Sequence, residues 1–342
     1  MAHVGRTASG SAGGEWPAEY AHCIERTRRS LQGRLSQAPA GDVIREYFER
    51  GKMLRAYLVF AASASVGGLV EDVVVAAEAI ELLHGASLFH DDIIDDAAER
   101  RGMAALHQRL GIGPALVVGD DLLLRALAVL NEARACHGAS RVLEASDALN
   151  ELARECCRGQ FDELRSGRWI SEADYLAIVT RKTAAAFVAA GTLGVLLGGG
   201  TEAHLAHIQV YARHLGIAFQ IADDLLDLIG ESGLLGKPVG NSLAQGRPML
   251  PLIYLWQVSS EPERLARSRL GGAGRPRDGL VSLVGLLEQH GIIDRVRQVQ
   301  RRYIDAAVGA LAGLPDAGGV EALRVLAMRA TAAPLGVNQR AR

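Results

Sequence analysis

Asp91, Asp92 and Asp95 stand at i, i+1 and i+4 in the run DDIID, and Asp223, Asp224 and Asp227 repeat that spacing in DDLLD. In a helix, residues four apart lie one above the other, so Asp91 shares a face with Asp95 and Asp223 with Asp227. Gln220 falls one turn earlier on the second of these faces. Like charges at that spacing repel and weaken an isolated helix. Both clusters are nonetheless embedded in apolar runs, Ala86-Ser87-Leu88-Phe89 before the first, Ile217-Ala218-Phe219 and Leu225-Leu226 around the second. Carboxylates half-drawn into a core need compensation, and a hard divalent cation supplies it. Mg²⁺ takes a few carboxylates and completes its shell with waters and phosphate oxygens. Two aspartate clusters that share ions through a diphosphate suit that habit.

An anionic ligand also needs cations. Lys52 and Arg55 stand at i and i+3 in Gly51-Lys52-Met53-Leu54-Arg55, which predicts one face of a helix start. Arg100-Arg101-Gly102 follows the first cluster within about one helical turn. Lys182-Thr183 opens an alanine-rich helix, and Gly236-Lys237-Pro238 closes the loop after DDLLD. Arginine grips phosphate oxygens at two points while lysine acts as a mobile point charge. Beside two metal-binding clusters, these cations describe a pocket for more than one diphosphate. His84, two turns before Asp91 on the same face, is either a satisfied core histidine or a phosphate donor. His204, His207 and His214 also have helical spacing, but no carboxylate or thiolate joins them and they read as structural.

The elements that must position these groups are helices. Val73, Ala77, Ile80, His84, Ser87 and Asp91 recur at steps of three and four. Comparable runs occupy roughly 117–133, 143–165, 172–198, 203–229, 248–258 and 278–312, and no alternating strand pattern persists. Gly111-Ile112-Gly113-Pro114 and Gly198-Gly199-Gly200 punctuate them. The expected fold class is all-α, a single-domain helical bundle around one core. Residues 1–15, rich in Gly, Ser and Ala without an apolar stretch, read as a disordered tail rather than a signal peptide. Residues 16–332 form the domain, with an exposed Arg/Gly/Pro connection at 259–279, and 333–342 form a loose tail.

The chain has 342 residues, 49% of them apolar, and a net charge of −2 with both signs mixed along it. That balance supports a sizeable core and argues against nucleic acid or an anionic membrane surface as partner. Ala184 to Leu197 is apolar but shorter than the roughly 18–20 residues of a span, so a buried helix is expected and no membrane span. Cys23, Cys136, Cys156 and Cys157 include no CxxC pair and read as thiols in a reducing, cytoplasmic setting.

With both clusters and their cations in view, the chain resembles the trans-prenyl diphosphate synthases, the polyprenyl synthetase family, from about Arg50 to Tyr254. LLHGASLFHDDIIDDAAERRG is similar to the family's first aspartate-rich motif with its trailing arginine pair, and FQIADDLLD to its second. GKPVG and GRPMLPLIY resemble the loop beyond. The resemblance implies a helical bundle with a central cavity, usually a homodimer, that joins isopentenyl diphosphate to an allylic diphosphate. It implies that Asp91, Asp95 and Asp223 hold Mg²⁺, three ions with bound diphosphate, with Asp92, Asp224 and Asp227 in support. It places Arg100, Lys182, Gln220 and Lys237 on the allylic site, and Lys52, Arg55, His84 and Arg101 on the isopentenyl diphosphate, where no metal is required; Thr183 is counted among the substrate-binding residues. Lys182 and Lys237 count with the six aspartates as catalytic. The chain departs from the family's GGKRxRP in Arg50-Gly51-Lys52-Met53-Leu54-Arg55-Ala56, where Met53 replaces an arginine, and has Ser242, Arg247 and Met249 for an expected Asp, Lys and Thr.

The expected chemistry is ionisation of the allylic C–O bond, attack by the alkene of isopentenyl diphosphate, and loss of a proton to the released diphosphate. Leu88, Phe89 and Phe219 are expected to keep water out. Product length should depend on the layer one turn deeper, Ser87 and Ala86, both small, with Leu83 or Ile80 as floor. Small residues there favour a product of twenty carbons, geranylgeranyl diphosphate, or longer. A class I terpene cyclase also uses DDxxD and Mg²⁺, but its second motif is of the Asn/Asp-Ser-Glu type and it needs no second diphosphate site. A non-catalytic subunit of a heteromeric synthase usually loses one cluster; this chain keeps both.

Overall fold

The recurrence from Val73 to Asp91 becomes one long helix entered through a 3-10 turn, and the described residues around it are helical almost throughout. The computed structural model describes residues 18–167, 169–230, 240–259, 276–315 and 317–331. Four helices precede a small hairpin: α1 (Ala18–Leu35), α2 (Gly41–Glu49), α3 (Leu54–Ala64) and α4 (Val74–Ile94). The hairpin pairs β1 (Glu99–Arg100) with β2 (Met103–Ala104). Then come α5 (Leu106–Leu110), α6 (Ile112–Asn131), α7 (Arg134–His137) and α8 (Ala139–Arg165). α9 (Glu172–Val179) runs through a π-helical turn, Thr180–Ala184, into α10 (Ala185–Leu197). α11 (Glu202–Ile229), α12 (Asn241–Ala244), α13 (Leu250–Val258), α14 (Pro276–Gln289), α15 (Ile292–Ala310) and α16 (Ala317–Thr331) complete the order among the described residues.

Local chemistry explains most boundaries. α6 begins at Ile112, five residues before the expected 117, because Pro114 in its first turn lacks only an N–H that the helix does not use there. The Thr201 side chain accepts from His204 N, and His204 returns the bond to complete a capping box at the start of α11. Gly291, at φ +64°, splits the expected run 278–312 into α14 and α15. The expected tails and Lys237 lie outside the described residues.

The hairpin was not foreseen. Asp96 leaves α4 at φ +48°, and Arg101 and Gly102 both have positive φ, +56° and +72°. Two successive positive φ values between paired strands are the signature of a tight, twisted hairpin turn. Arg100 and Arg101 therefore sit on a hairpin, not on a continuation of α4. Lys52 is also displaced from its expected helix face: Met53 sits at φ +52° before α3, so Lys52 precedes the helix and stays exposed.

Among the described residues two apolar clusters form the core. One gathers α1–α4, α6, α8, α10 and α16; the other gathers α9, α13, α14 and α15. α11 serves both, with Tyr211 and Leu215 in the first and Ile217, Ile221 and Leu225 in the second. Two helical stretches, Val70–Ile94 and Glu172–Leu197, are long and apolar enough to cross a membrane by length and composition. The second reaches 26 residues because the π turn continues the helix, so shortness is not what distinguishes it. Most of each apolar window is instead spent inside the core, 72% and 56%.

Candidate active site

A cavity of about 500 Å³ opens between α3, α4, the hairpin, α8, the π turn and α11. Its volume suits a small ligand with an apolar body and polar ends. From α4 the period of 3.6 turns Leu83, His84, Ser87, Asp91 and Asp95 toward it, and from α11 Phe219, Gln220 and Asp223 face them. Lys52, Arg55, Arg100, Arg101, Lys182 and Thr183 also line it. Three expected residues do not. Asp92 and Asp227 are buried off the cavity wall, and Ala86, only 1% exposed, packs into the core because it lies well round the helix from Asp91. Ala86 is therefore not a layer of the cavity, whereas Ser87, Leu83 and Ile80 are. Of the expected apolar walls, Leu88 and Phe219 line it; Phe89 lies behind, edge-on to Tyr47 at 5.4 Å.

Each aspartate triplet divides its labour. Asp92 is fully buried, and Arg100 Nε donates to its Oδ1 at 2.9 Å. Asp224 accepts from Tyr175 Oη at 2.7 Å, Gln220 Nε2 at 3.0 Å and Leu250 N at 3.0 Å. Burial still pushes the Asp224 carboxyl up to about 7. Asp227 accepts from Ser242 N at 2.9 Å and so ties α11 to α12. Asp91 and Asp95 remain on the wall. Burial raises Asp91 above the usual carboxylate range, Lys182 opposes this, and Asp95 adds to it. Asp95 forms an ion pair with Arg247, and Gln245 Nε2 donates to its backbone carbonyl at 3.0 Å.

The cations fall into two groups. Lys182 Nζ donates to Glu163 Oε2 at 2.5 Å, and Thr183 Oγ1 donates to Gln220 Oε1 at 2.8 Å. Two glycines let neighbouring helices close on this turn: a Cβ at Gly159 would meet Lys182 N at 2.5 Å, and one at Gly216 would meet Ala184 Cα at 2.5 Å. The second group surrounds the start of α3. Arg55 is buried at 8% exposure, its guanidinium lies 5.0 Å from the Phe187 ring, and its Nε has no hydrogen-bond partner. Glu81 accepts from Ala56 N at 3.0 Å and offsets the charge of Arg55 and Arg101. Burial and then the Arg55 and Arg101 charges push His84 well below the usual histidine range, so its ring is neutral. A buried arginine with an unpaired N–H has the chemistry to take an anion.

Residues 39–279 match the family model described as Polyprenyl synthetase, more than two thirds of the chain. The chain belongs to the polyprenyl synthetase family. It is 33% identical over 285 residues to a short chain isoprenyl diphosphate synthase of Methanothermobacter thermautotrophicus, covering 81% of this chain and 85% of that one. It is 32% identical to a geranylgeranyl diphosphate synthase of Methanosarcina mazei, covering 75% and 77%. Among solved structures it resembles a polyprenyl synthase from Caulobacter crescentus complexed with calcium and isoprenyl diphosphate, with a TM-score of 0.84, 29% identity, and 91% and 95% of the two chains covered. Its relatives are named as prenyl diphosphate synthases, which are prenyltransferases, and the helical fold is that of this polyprenyl synthetase group.

Sequence reasoning missed Glu163, Glu81 and Tyr175. Each lines the cavity, yet each sits singly in an ordinary helical run with no spacing to mark it. His204 caps α11, His207 Nδ1 meets Ala310 O at 3.0 Å, and His214 stands beside Tyr303. All four cysteines are free.

Proposed function

We propose that the chain is a Mg²⁺-dependent prenyltransferase that joins isopentenyl diphosphate to an allylic diphosphate and releases a linear all-trans prenyl diphosphate of twenty carbons or more. The observation that carries this is one cavity lined both by carboxylates from two helices, Asp91 and Asp95 at the end of α4 and Asp223 of α11, and by the buried Arg55, whose Nε has no hydrogen-bond partner. Among the described residues no three histidine, cysteine or carboxylate side chains converge closely enough to hold a metal unaided. That donor set fits Mg²⁺ shared with diphosphate oxygens. Asp91, Asp95 and Asp223 would hold the ions, three of them once diphosphate is present.

When bound, Mg²⁺ draws negative charge from the departing diphosphate. Arg100, Lys182, Gln220 and Lys237 hold the same allylic diphosphate, and Thr183 fixes Gln220. Lys52, Arg55, His84 and Arg101 hold the isopentenyl diphosphate without metal. The allylic C–O bond breaks and its electron pair leaves with the diphosphate. The alkene electrons form the new C–C bond, and the proton lost passes to the released diphosphate. Leu83, Leu88 and Phe219 keep water from the cation.

A homodimer is the assembly we propose. Ile112, Leu116, Val117 and Leu124 of α6 are 62%, 47%, 56% and 64% exposed, an apolar face that a second copy would cover. The synthase domain would span residues 16–332 and work in the cytosol. A second reading has one specific support: the chain is 31% identical over 307 residues to a heptaprenyl diphosphate synthase component 2 of Geobacillus stearothermophilus, so it would act as one component of a heteromer.

The test is product analysis of purified protein with isopentenyl diphosphate, Mg²⁺ and separate allylic primers of five, ten and fifteen carbons. Linear prenyl diphosphates that vanish on adding a chelator are expected. Cyclic hydrocarbon would move the reading to a cyclase, and no product alone would move it to the heteromer.

A further inference from the structure

We propose that Arg50 is a further binding residue for the diphosphate of the metal-free substrate, completing the cation group at the start of α3. The proposal rests on the prenyltransferase reading above. Arg50 follows α2, and its side chain lines the same cavity as Lys52, Arg55 and Arg101. The backbone on both sides of it is held by Arg28 of α1, whose Nη1 donates to Glu49 O at 2.5 Å and whose Nη2 donates to Gly51 O at 3.2 Å.

The Arg50 guanidinium is held as well. Its Nη1 donates to Arg101 O at 3.3 Å, while Arg101 Nη1 donates back to Tyr47 O in the last turn of α2. The two arginines thus clasp each other's elements. A surface arginine without a task is commonly paired with a carboxylate or left to sample solvent. Among the described residues Arg50 has no ion pair within 4.0 Å, and that one carbonyl uses a single one of its five N–H donors.

Met53 supplies no charge at this turn. It is 2% exposed, at φ +52°, and belongs to the apolar core. The charge that the turn 50–55 presents to the cavity therefore comes from Arg50, Lys52 and Arg55. Arg50 brings a planar fork suited to two phosphate oxygens, set at the mouth where Arg55 is deep. An entering diphosphate meets Arg50 first and Arg55 last.

Arg50→Ala and Arg50→Lys test this. With allylic primer saturating, Arg50→Ala raises the KM for isopentenyl diphosphate by about tenfold, the loss expected of one charge-assisted contact. kcat and the KM for the allylic primer stay within about twofold, and Arg50→Lys falls between. An unchanged KM for isopentenyl diphosphate, or an equal rise for both substrates, overturns the proposal. Titration of inorganic diphosphate into chelator-treated protein gives a second readout, about tenfold weaker binding for Arg50→Ala than for wild type. Equal affinities overturn it. If wild-type protein yields no prenyl product with any primer, the functional reading fails, and the titration still decides whether Arg50 binds diphosphate. Arg50 is exposed, so both variants keep the melting temperature of the wild type.

Discussion

Tyr175 Oη donates a 2.7 Å hydrogen bond to Asp224 Oδ2, joining α9 to α11 at the wall of the cavity. Both side chains are buried, and Leu250 N donates to the same oxygen from the start of α13. One carboxylate thus holds three helices together.

This carboxylate makes stability depend on pH. Its folded value of about 7 lies above the ordinary 3.8, so the folded state holds a proton that the unfolded chain has released. The contribution is full below about pH 4 and is lost as pH rises through about 7, on the order of 4 kcal/mol at most. Urea denaturation in chelator at pH 5 and pH 8 should show wild type losing stability that Asp224→Asn does not lose. Parallel curves for the two proteins would contradict this.

Asp91 and Asp92 are neighbours with different fates on substitution. Asp91→Asn removes a proposed metal ligand, and kcat falls by about 10²–10³. Its stability in chelator is unchanged or higher, because burial already disfavours the Asp91 charge. Asp92→Asn leaves Arg100 without its ionic partner and costs about 3 kcal/mol. Denaturation and kcat measured on both variants separate the two roles; equal destabilisation would remove the distinction.

Product length responds to the cavity wall, not to every residue near the first motif. Ser87→Phe and Leu83→Phe intrude on the wall and shorten the product. Ala86→Phe instead overpacks the core, lowering stability by about 1–3 kcal/mol while product length holds. Chromatography of the prenyl products from the three variants checks this, and a shortened product from Ala86→Phe would show that the side chain reaches the cavity.

Gly159→Ala tests the placement of Lys182. The added Cβ meets backbone at 2.5 Å, which no rotamer change relieves, so a loss of about 1–3 kcal/mol is expected. A fall in kcat beyond that of a similarly destabilised variant remote from the cavity shows that the π turn has been displaced. An equal fall in the two would refer the effect to stability alone.

The helical fold and the two ends of the cavity were legible in the sequence because their signals repeat: apolar steps of three and four, and a carboxylate triplet used twice. What repeats less was harder to read. The hairpin comprises only two pairs, Glu99 with Ala104 and Arg100 with Met103, too few for an alternating pattern to emerge. Glu163 and Glu81 act through partners far away in the chain, Lys182 and Ala56, and such pairings follow from packing rather than spacing. Spacing from Asp91 counted Ala86 and Ser87 as one layer, but a step of five along a helix does not return to the same face.

The hairpin has a further consequence. Arg100 reaches back to Asp92 of the first aspartate motif, and Arg101, its covalent neighbour, reaches to Tyr47 of α2. Peptide geometry keeps consecutive Cα atoms about 3.8 Å apart. On the proposed reading these two residues serve different diphosphates, so a single peptide bond links the two binding sites. A displacement of the hairpin would therefore be felt at both contacts together, at Asp92 through Arg100 and at Tyr47 through Arg101.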